Sequence, residues 1–225
     1  MKIIGHIETD YKEKFGIPRQ SGLVKESSGR IKFEKEYNVP EAFRGLEDFS
    51  HIWVLWQFSE AVRESWSPTV RPPLLGGNKR MGVFATRSPF RPNSVGLSAL
   101  KLDKVEFSKS DGVILHVSGA DLLDGTPIFD IKPYLAYADS ISDAVGGFTE
   151  NLEERRLDVE FPKELLEKVA EEKRTALKAV LAADPRPSYQ DDPERIYGMS
   201  FACYEVRFMV EGKVLRVVEI TNNKI

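Results

Sequence analysis

The sequence contains a single cysteine, Cys203, and only three histidines. One thiol cannot form an internal disulfide or a cysteine-based zinc site, and we interpret Cys203 as a small packed residue of an alternating strand. The histidines His6, His51 and His116 are scattered at no metal-ligand spacing. We therefore expect no metal site.

Long apolar runs are also missing. No stretch approaches the roughly 20 apolar residues that span a bilayer. The N-terminal segment has neither the long apolar centre nor the small-residue cleavage site of a signal peptide. We therefore expect no membrane contact and a cytoplasmic location. With 225 residues, 41% of them hydrophobic, the chain is long enough to bury the core of one large or two small domains.

The glycine patterns of the common nucleotide-binding folds are absent as well. A Rossmann fold needs a glycine-rich turn that leads from a strand into a helix, and the glycine pairs at 76–77 and 146–147 are not followed by a helical pattern. Walker-type phosphate loops and Gly-x-Ser-x-Gly elbows do not occur either. We therefore exclude a Rossmann-type cofactor domain.

Charge is distributed unevenly along the chain. The net charge of -3 argues against a nucleic-acid binder held by overall charge. However, residues 63–91 hold six basic residues against Glu64 alone, whereas residues 150–194 hold 13 acids and 8 bases. The basic stretch contains RPPLLGGNKRMG, which predicts a shaped loop. The alternative is a solvated face without a partner.

Short segments with strand character fill residues 2 to about 138. They are rich in β-branched and aromatic residues and are separated by Gly, Pro, Asn and Asp. The Asp111-Gly112 pair predicts the turn of a hairpin. Short strands without long helices between them predict a barrel or a closed sandwich whose long loops carry the chemistry. The segments are KIIGHIE, HIWVLWQF, MGVFAT, GLSALKLDKVEF and GVILHVSG.

The C-terminal part has a different pattern. We place the domain boundary inside ADSISDAVGGFTENLEERR, which gives a β domain over residues 1–145 and a small α+β domain over residues 146–225. Pro162 precedes a helical apolar stripe that ends before Pro185. Two alternating strands around Glu211-Gly212 follow. The predicted fold is mainly β with an α+β C-terminal part.

Three loop segments are poor in packing residues and rich in hydrogen-bond donors. The first is GIPRQSGL, residues 16–23, and the second is ATRSPFRPNSVGLSAL, residues 85–100, with Arg87 and Arg91. Prolines reduce the entropy that such a loop loses on ordering, so its donors are preorganised for a ligand. The alternatives are a surface turn for the first segment and, for the second, arginines that pair with acids at a barrel rim.

The third segment is DLLDGTPIFDIKPY, residues 121–134. Asp124-Gly125 predicts a turn, and strand alternation places Asp130, Lys132 and Tyr134 on one face. This cluster holds a proton donor and an acceptor, or alternatively forms an exposed ion pair beside a tyrosine.

Five blocks of the sequence together resemble the TrmO (YaeB, TsaA-like) family of tRNA methyltransferases. The blocks run from about residue 3 to residue 189, so the resemblance covers most of the chain. It is more specific than any single motif above. The blocks are PRQSGLVK, LEDFSHIWVLW, RPPLLGGNKRMGVFATRSPFRPNSVGLSALKL, DGTPIFDIKPY and DPRPSY.

The resemblance implies a small non-Rossmann β-barrel that binds S-adenosylmethionine, a C-terminal domain, and a homodimer. The implied reaction is methylation of N6 of N6-threonylcarbamoyladenosine beside the anticodon of a tRNA, typically one that reads threonine codons. The implied cofactor contacts are Pro18, Arg19, Gln20, His51, Ile52, Arg87, Leu97, Leu123, Asp124, Gly125 and Thr126.

The residues suggest further roles for this reaction. The acceptor nitrogen shares its lone pair with a carbonyl and the purine, so we hypothesise that Asp130 or Tyr134 assists as a general base. Arg91 or Lys132 would hold the threonyl carboxylate. The basic loop, with help from the DPRPSY loop, would bind the anticodon arm through Arg71, Lys79, Arg80, Arg91 and Arg186. Two alternatives stay open: a non-catalytic S-adenosylmethionine- or RNA-binding barrel, and a methyltransferase with another acceptor.

Overall fold

The computed structural model describes residues 1–62, 65–75, 78–150, 156–186 and 192–222. Its strands are β1 (Gly5–Thr9), β2 (Ser28–Phe33), β3 (His51–Gln57), β4 (Thr69–Val70), β5 (Met81–Gly82), β6 (Val95–Ser108), β7 (Gly112–Ser118), β8 (Thr126–Pro133), β9 (Asp158–Glu160), β10 (Tyr197–Phe201), β11 (Tyr204–Glu211) and β12 (Val214–Asn222). Its α-helices are α1 (Ala136–Asp139), α2 (Lys163–Leu166) and α3 (Glu171–Ala182).

Six of these strands form a closed barrel in the order β1-β2-β7-β6-β3-β8. Every neighbouring pair is antiparallel. Side chains alternate between the interior and the outer wall, so β3 buries Ile52, Val54 and Trp56 and turns His51 outward. The mainly β barrel that the strand pattern predicts is confirmed. The predicted hairpin turn is also present, because Gly112 takes a φ of 72° between β6 and β7.

A second sheet has the order β10-β11-β12-β9, with β9 parallel to β12. Its core is shared with helix α3 and with the segment 10–27, which leaves the barrel between β1 and β2. The Tyr11 ring packs edge-on against Phe201 at a centroid distance of 6.0 Å. Lys173 on α3 forms an ion pair with Asp10 at 2.7 Å. Residues of the predicted barrel domain thus help to build the C-terminal core.

Three predicted elements differ in the structure. The helix predicted after Pro162 is divided into α2 and α3, because Ala170 is extended and its N–H donates to the Tyr204 hydroxyl at 2.9 Å. The predicted C-terminal pair of strands is preceded by a third strand, β10. A tight turn at Ala202 joins β10 to β11 and exposes Cys203, so our interpretation of this cysteine as packed was wrong.

The segment MGVFAT contributes only the two-residue strand β5, followed by a 3₁₀ turn over Val83–Ala85. In the described part of the chain, no helix has both the length and the apolar character that crossing a membrane requires.

The close approach of β6 to Trp56 provides a test of the barrel packing. A methyl group added to Gly96 would lie 2.2 Å from Cε2 of the buried indole. We expect Gly96→Ala to lower the free energy of unfolding by about 1–3 kcal/mol, as overpacked cores do. Thermal denaturation would measure this. Gly82→Ala is the matched control, because its added methyl group meets no heavy atom within 4 Å. Equal stability of the two variants would contradict the packing argument.

Candidate functional site

One end of the barrel, which we call the mouth, is formed where β1, β3 and β7 end and where β2, β6 and β8 begin. Short side chains at the mouth donate hydrogen bonds to the main chain of the segment that follows β7. The Thr9 hydroxyl donates to the Leu122 carbonyl at 3.0 Å, and the Ser27 hydroxyl donates to the Ala120 carbonyl at 2.6 Å. The segment after β7 is therefore held firmly across the mouth.

The donor-rich loops meet at this mouth. The Gly22 N–H donates to the Gly119 carbonyl at 2.9 Å, which attaches the segment 16–23 to the end of β7. The Arg87 guanidinium donates to the side-chain oxygen of Gln20, so two of the predicted loops are in direct contact. Arg19 beside them donates to the Arg186 carbonyl at 3.0 Å.

The turn from Leu123 to Thr126 forms the third part of the mouth. The Thr126 hydroxyl donates to the Leu123 carbonyl at 2.6 Å, and Gly125 adopts a φ of 74° that favours glycine. Asp124 accepts a hydrogen bond from the Thr9 amide at 2.9 Å and forms an ion pair with Lys12 at 2.7 Å. These contacts give the turn one defined shape, as a binding loop requires.

Asp121 is a residue at the mouth that our sequence reasoning missed. Its Oδ1 accepts a hydrogen bond from the Ser98 hydroxyl at 2.7 Å, and Ser98 accepts one from the Trp56 indole at 3.0 Å. Burial raises the pKa of Asp121 to about 6, although the Ser98 hydrogen bond and the charge of Arg87 act in the opposite direction. The available signal was a carboxylate between two apolar residues, Ala120 and Leu122, which the structure buries fully.

Three predicted cofactor residues lie outside the mouth. His51 is the first residue of β3. At 3.3 Å per residue it lies about 20 Å from the other end of this strand, which is at the mouth. It is exposed, and its ring bonds the Ser50 hydroxyl at 2.9 Å. The Ile52 side chain is fully buried in the barrel core. Leu97 lies near the start of β6 but points outward, with 53% of its surface exposed.

The predicted catalytic residues lie on the outer wall of the barrel. Asp130 and Lys132 form an ion pair at 2.9 Å, which confirms that strand alternation brings them together. The Tyr134 amide donates to the His51 carbonyl at 2.9 Å, and its ring packs 5.5 Å from that of Trp53. Tyr134 thus shares the wall with His51, away from the mouth.

The predicted RNA-binding residues have different surroundings. Arg71, Lys79 and Arg80 are exposed, and Arg80 donates to the Thr69 hydroxyl at 2.9 Å. Arg91 donates to the Thr86 carbonyl at 2.9 Å and thereby braces its own loop.

Arg186 is 6% exposed and forms a buried two-point pair with Asp184, at 2.9 and 3.1 Å. This placement favours a structural role for Arg186 over direct contact with RNA. The rest of the DPRPSY loop, residues 187–189, lies outside the described residues.

Comparison with known families assigns the chain to one of them. The model of the tRNA-methyltransferase O N-terminal domain matches residues 6–140, which include the barrel and its mouth. The model of the TrmO C-terminal domain matches residues 154–223. The chain belongs to the tRNA-methyltransferase O (TrmO) family. The family resemblance carried by the five sequence blocks is thereby confirmed.

Two sequence relatives and one solved structure match most of the chain. A protein of Escherichia coli named tRNA (adenine(37)-N6)-methyltransferase is 45% identical over 217 residues, 94% of this chain and 91% of that protein. A protein of the same name from Eikenella corrodens is 48% identical over 164 residues, 72% of this chain and 92% of that protein. The crystal structure of TrmO from Pseudomonas aeruginosa superposes with a TM-score of 0.78 at 32% identity, covering 98% and 97% of the two chains.

The pKa of Asp121 predicts how stability depends on pH. Because the folded pKa is raised from 3.8 to about 6, the fold favours the protonated carboxyl. The stability that this preference contributes is complete below pH 3.8 and is lost as the pH rises through about 6. We expect the wild type to lose up to about 3 kcal/mol relative to Asp121→Asn between pH 4 and 7.5. Urea unfolding at several pH values measures this difference. A constant difference would show that Asp121 titrates normally.

Proposed function

We propose that the protein transfers a methyl group from S-adenosylmethionine to N6 of N6-threonylcarbamoyladenosine next to the anticodon of a tRNA. Family membership across both parts of the chain carries this proposal. The E. coli relative is named for N6 methylation of adenine 37 of tRNA. A relative from Pseudomonas aeruginosa, 41% identical over 207 residues, is named for S-adenosylmethionine-dependent methyl transfer.

The mouth has the chemistry that S-adenosylmethionine calls for. This group supplies, when bound, a methyl carbon activated by a sulfonium, together with a carboxylate and an adenine. Arg19 and Arg87 offer guanidinium groups for the carboxylate. The amide of Gln20 and the turn Leu123–Thr126 add hydrogen-bonding groups for the adenine and ribose. Pro18 restrains the loop that carries Arg19 and Gln20.

We also propose that the protein acts as a homodimer. The predicted cofactor residues are divided between the mouth, with Arg87 and Gln20, and the outer wall, with His51 and Leu97. A site shared by two copies would place the wall of one against the mouth of the other. Leu97 exposes 53% of its surface on that wall, as an interface residue would in an isolated chain. The same arrangement would bring Lys132 within reach of a threonyl carboxylate.

We propose that the loop over residues 63–91 binds the anticodon arm of the tRNA, and that the protein does so in the cytoplasm. Its exposed cations Arg71, Lys79 and Arg80 suit phosphates. In the same loop, the rings of Trp66 and Phe84 stack with centroids 6.0 Å apart and planes 26° apart, and the Arg91 guanidinium lies 5.8 Å from the centroid of the Phe84 ring. Trp66 is 48% exposed and Phe84 70% exposed. Exposed flat rings beside cations are typical of proteins that stack unpaired bases.

Product analysis tests the reaction directly. The purified protein is incubated with S-adenosylmethionine and two matched tRNAs, one that carries N6-threonylcarbamoyladenosine and one that does not. Nucleoside mass spectrometry should show a mass gain of one methyl group only in the threonylcarbamoyl nucleoside. A gain in the unmodified tRNA would shift the acceptor to plain adenosine. Intact S-adenosylmethionine that stays bound, with no methylated product, would identify a sensor.

The aromatic pair makes a separate prediction about RNA binding. We expect Phe84→Ala to weaken binding of an anticodon-arm RNA about tenfold, because stacking on one base is worth about 1–3 kcal/mol. Fluorescence anisotropy at fixed salt measures the affinity. Phe107→Ala is the matched control, since Phe107 is 57% exposed on the far part of β6. If the Phe84→Ala variant kept its RNA affinity but its dimer dissociated, a second copy of the chain, and not RNA, would cover these rings.

A further inference from the structure

The carboxylate of Asp121 is a charged group at the mouth that hydrogen bonds hold against the barrel interior. Its Oδ1 accepts the Ser98 hydroxyl proton at 2.7 Å, while the Trp56 indole donates to Ser98 at 3.0 Å. Trp56 and Ser98 point into the barrel interior, so this chain of hydrogen bonds fixes the carboxylate relative to the barrel wall. Its position is therefore set by the fold and not by a mobile surface side chain.

Among the described residues, the groups around Asp121 do not neutralise its carboxylate through a direct ion pair, so it can still take up a proton. The positive charge of Arg87, a proposed cofactor-binding residue, lowers the pKa of Asp121. The main-chain amide of Ser21 also donates a hydrogen bond to the Asp121 carboxylate. The Tyr11 phenol is the other titratable group that interacts with it, and Tyr11 is engaged by Ser27 at 2.8 Å. A neutral amide would satisfy Ser98 equally well as an acceptor. A partly buried carboxylate at this point costs free energy that packing alone does not require.

We infer that Asp121 accepts the proton that leaves N6 of the acceptor adenosine during methyl transfer. This inference rests on the proposed function and assigns one step within it. It differs from a general base at Asp130 or Tyr134. Asp130 is already paired with Lys132, and Tyr134 lies beside His51 on the outer wall. Asp121 lies among the loops that meet at the mouth.

The step balances without any further reactant. The bond between N6 and the methyl carbon forms as the bond between that carbon and sulfur breaks, and the sulfur keeps the electron pair and becomes a neutral thioether. The N6 proton passes to Asp121, which becomes a neutral carboxylic acid. Because the acceptor lone pair is delocalised into a carbonyl and the purine, removal of this proton is needed for attack. The acid then returns its proton to water when the products leave.

The pKa of Asp121 matches this task. Burial raises it to about 6, so the group is ionised at neutral pH and still more basic than an exposed aspartate. The methyl-transfer rate should therefore rise with pH up to about 6 and then level off. Because the charge of Arg87 lowers the pKa of Asp121, removal of that charge should move this inflection to higher pH.

The test compares Asp121→Asn with the wild type in single-turnover methylation of the threonylcarbamoyl tRNA at saturating S-adenosylmethionine, from pH 5 to 8.5. We expect the rate at pH 7.5 to fall at least about 100-fold, the usual contribution of a general base. The inflection near pH 6 should disappear. Calorimetry should show S-adenosylmethionine affinity within about threefold of the wild type. Asp121→Glu should recover part of the rate because it keeps the carboxylate.

Asp103→Asn is the matched control. Asp103 is exposed and pairs with Lys101 on the outer surface of the barrel at 2.7 Å, so the rate and its inflection should not change. A near-normal rate in Asp121→Asn would overturn the inference. It would also be overturned by a tenfold loss of S-adenosylmethionine affinity with an unchanged saturated rate, because Asp121 would then only neutralise the sulfonium.

The inference would equally be overturned if Asp130→Asn or Tyr134→Phe, and not Asp121→Asn, lost the methylation rate and the inflection near pH 6. A wild type that methylates neither tRNA would instead refute the proposed function itself.

Discussion

The hydrogen-bond chain from Trp56 through Ser98 to Asp121 is the constraint on which the mouth depends. A closed barrel pairs all of its strands, so polar side chains that enter its interior must find partners there or pay a large desolvation cost. Here the indole and hydroxyl satisfy each other, and the chain ends at a carboxylate. Gly96 makes room for the indole, since any side chain would overlap it. The packing of the Trp56 indole and the position of the Asp121 carboxylate therefore depend on each other.

A second constraint links the mouth to the C-terminal sheet. The segment 10–27 presents Arg19 and Gln20, and Tyr11 in the same segment is buried against Phe201. The ion pair between Lys173 and Asp10 is largely shielded from solvent and adds to this attachment. The first donor-rich segment, residues 16–23, is therefore held between the barrel and the C-terminal core. This explains how a loop without secondary structure can keep its donors in one arrangement.

The sequence allowed much of the barrel to be predicted, because alternation and turn residues act locally. The strands around Asp111-Gly112 follow from such signals, as does the turn at Asp124-Gly125. The break at Ala170 did not follow, since the Tyr204 hydroxyl that takes its N–H comes from a distant strand. The exposed Cys203 was missed for a related reason. Its alternating neighbours predict a continuous strand, and only the pairing of β10 with β11 reveals a turn.

The sequence alone determined the family, the strand segments and the donor-rich loops, because these depend on residue type and on near neighbours along the chain. Tertiary structure decided which of those residues share a site. It brought Arg87 to Gln20 and Asp121 to Ser98, placed the predicted pair of Asp130 and Lys132 on the outer wall, and buried Arg186 against Asp184. Closure of the barrel brings the first two of these pairs together. It fixes which strand ends lie at the same mouth, and residue spacing along one chain does not specify that.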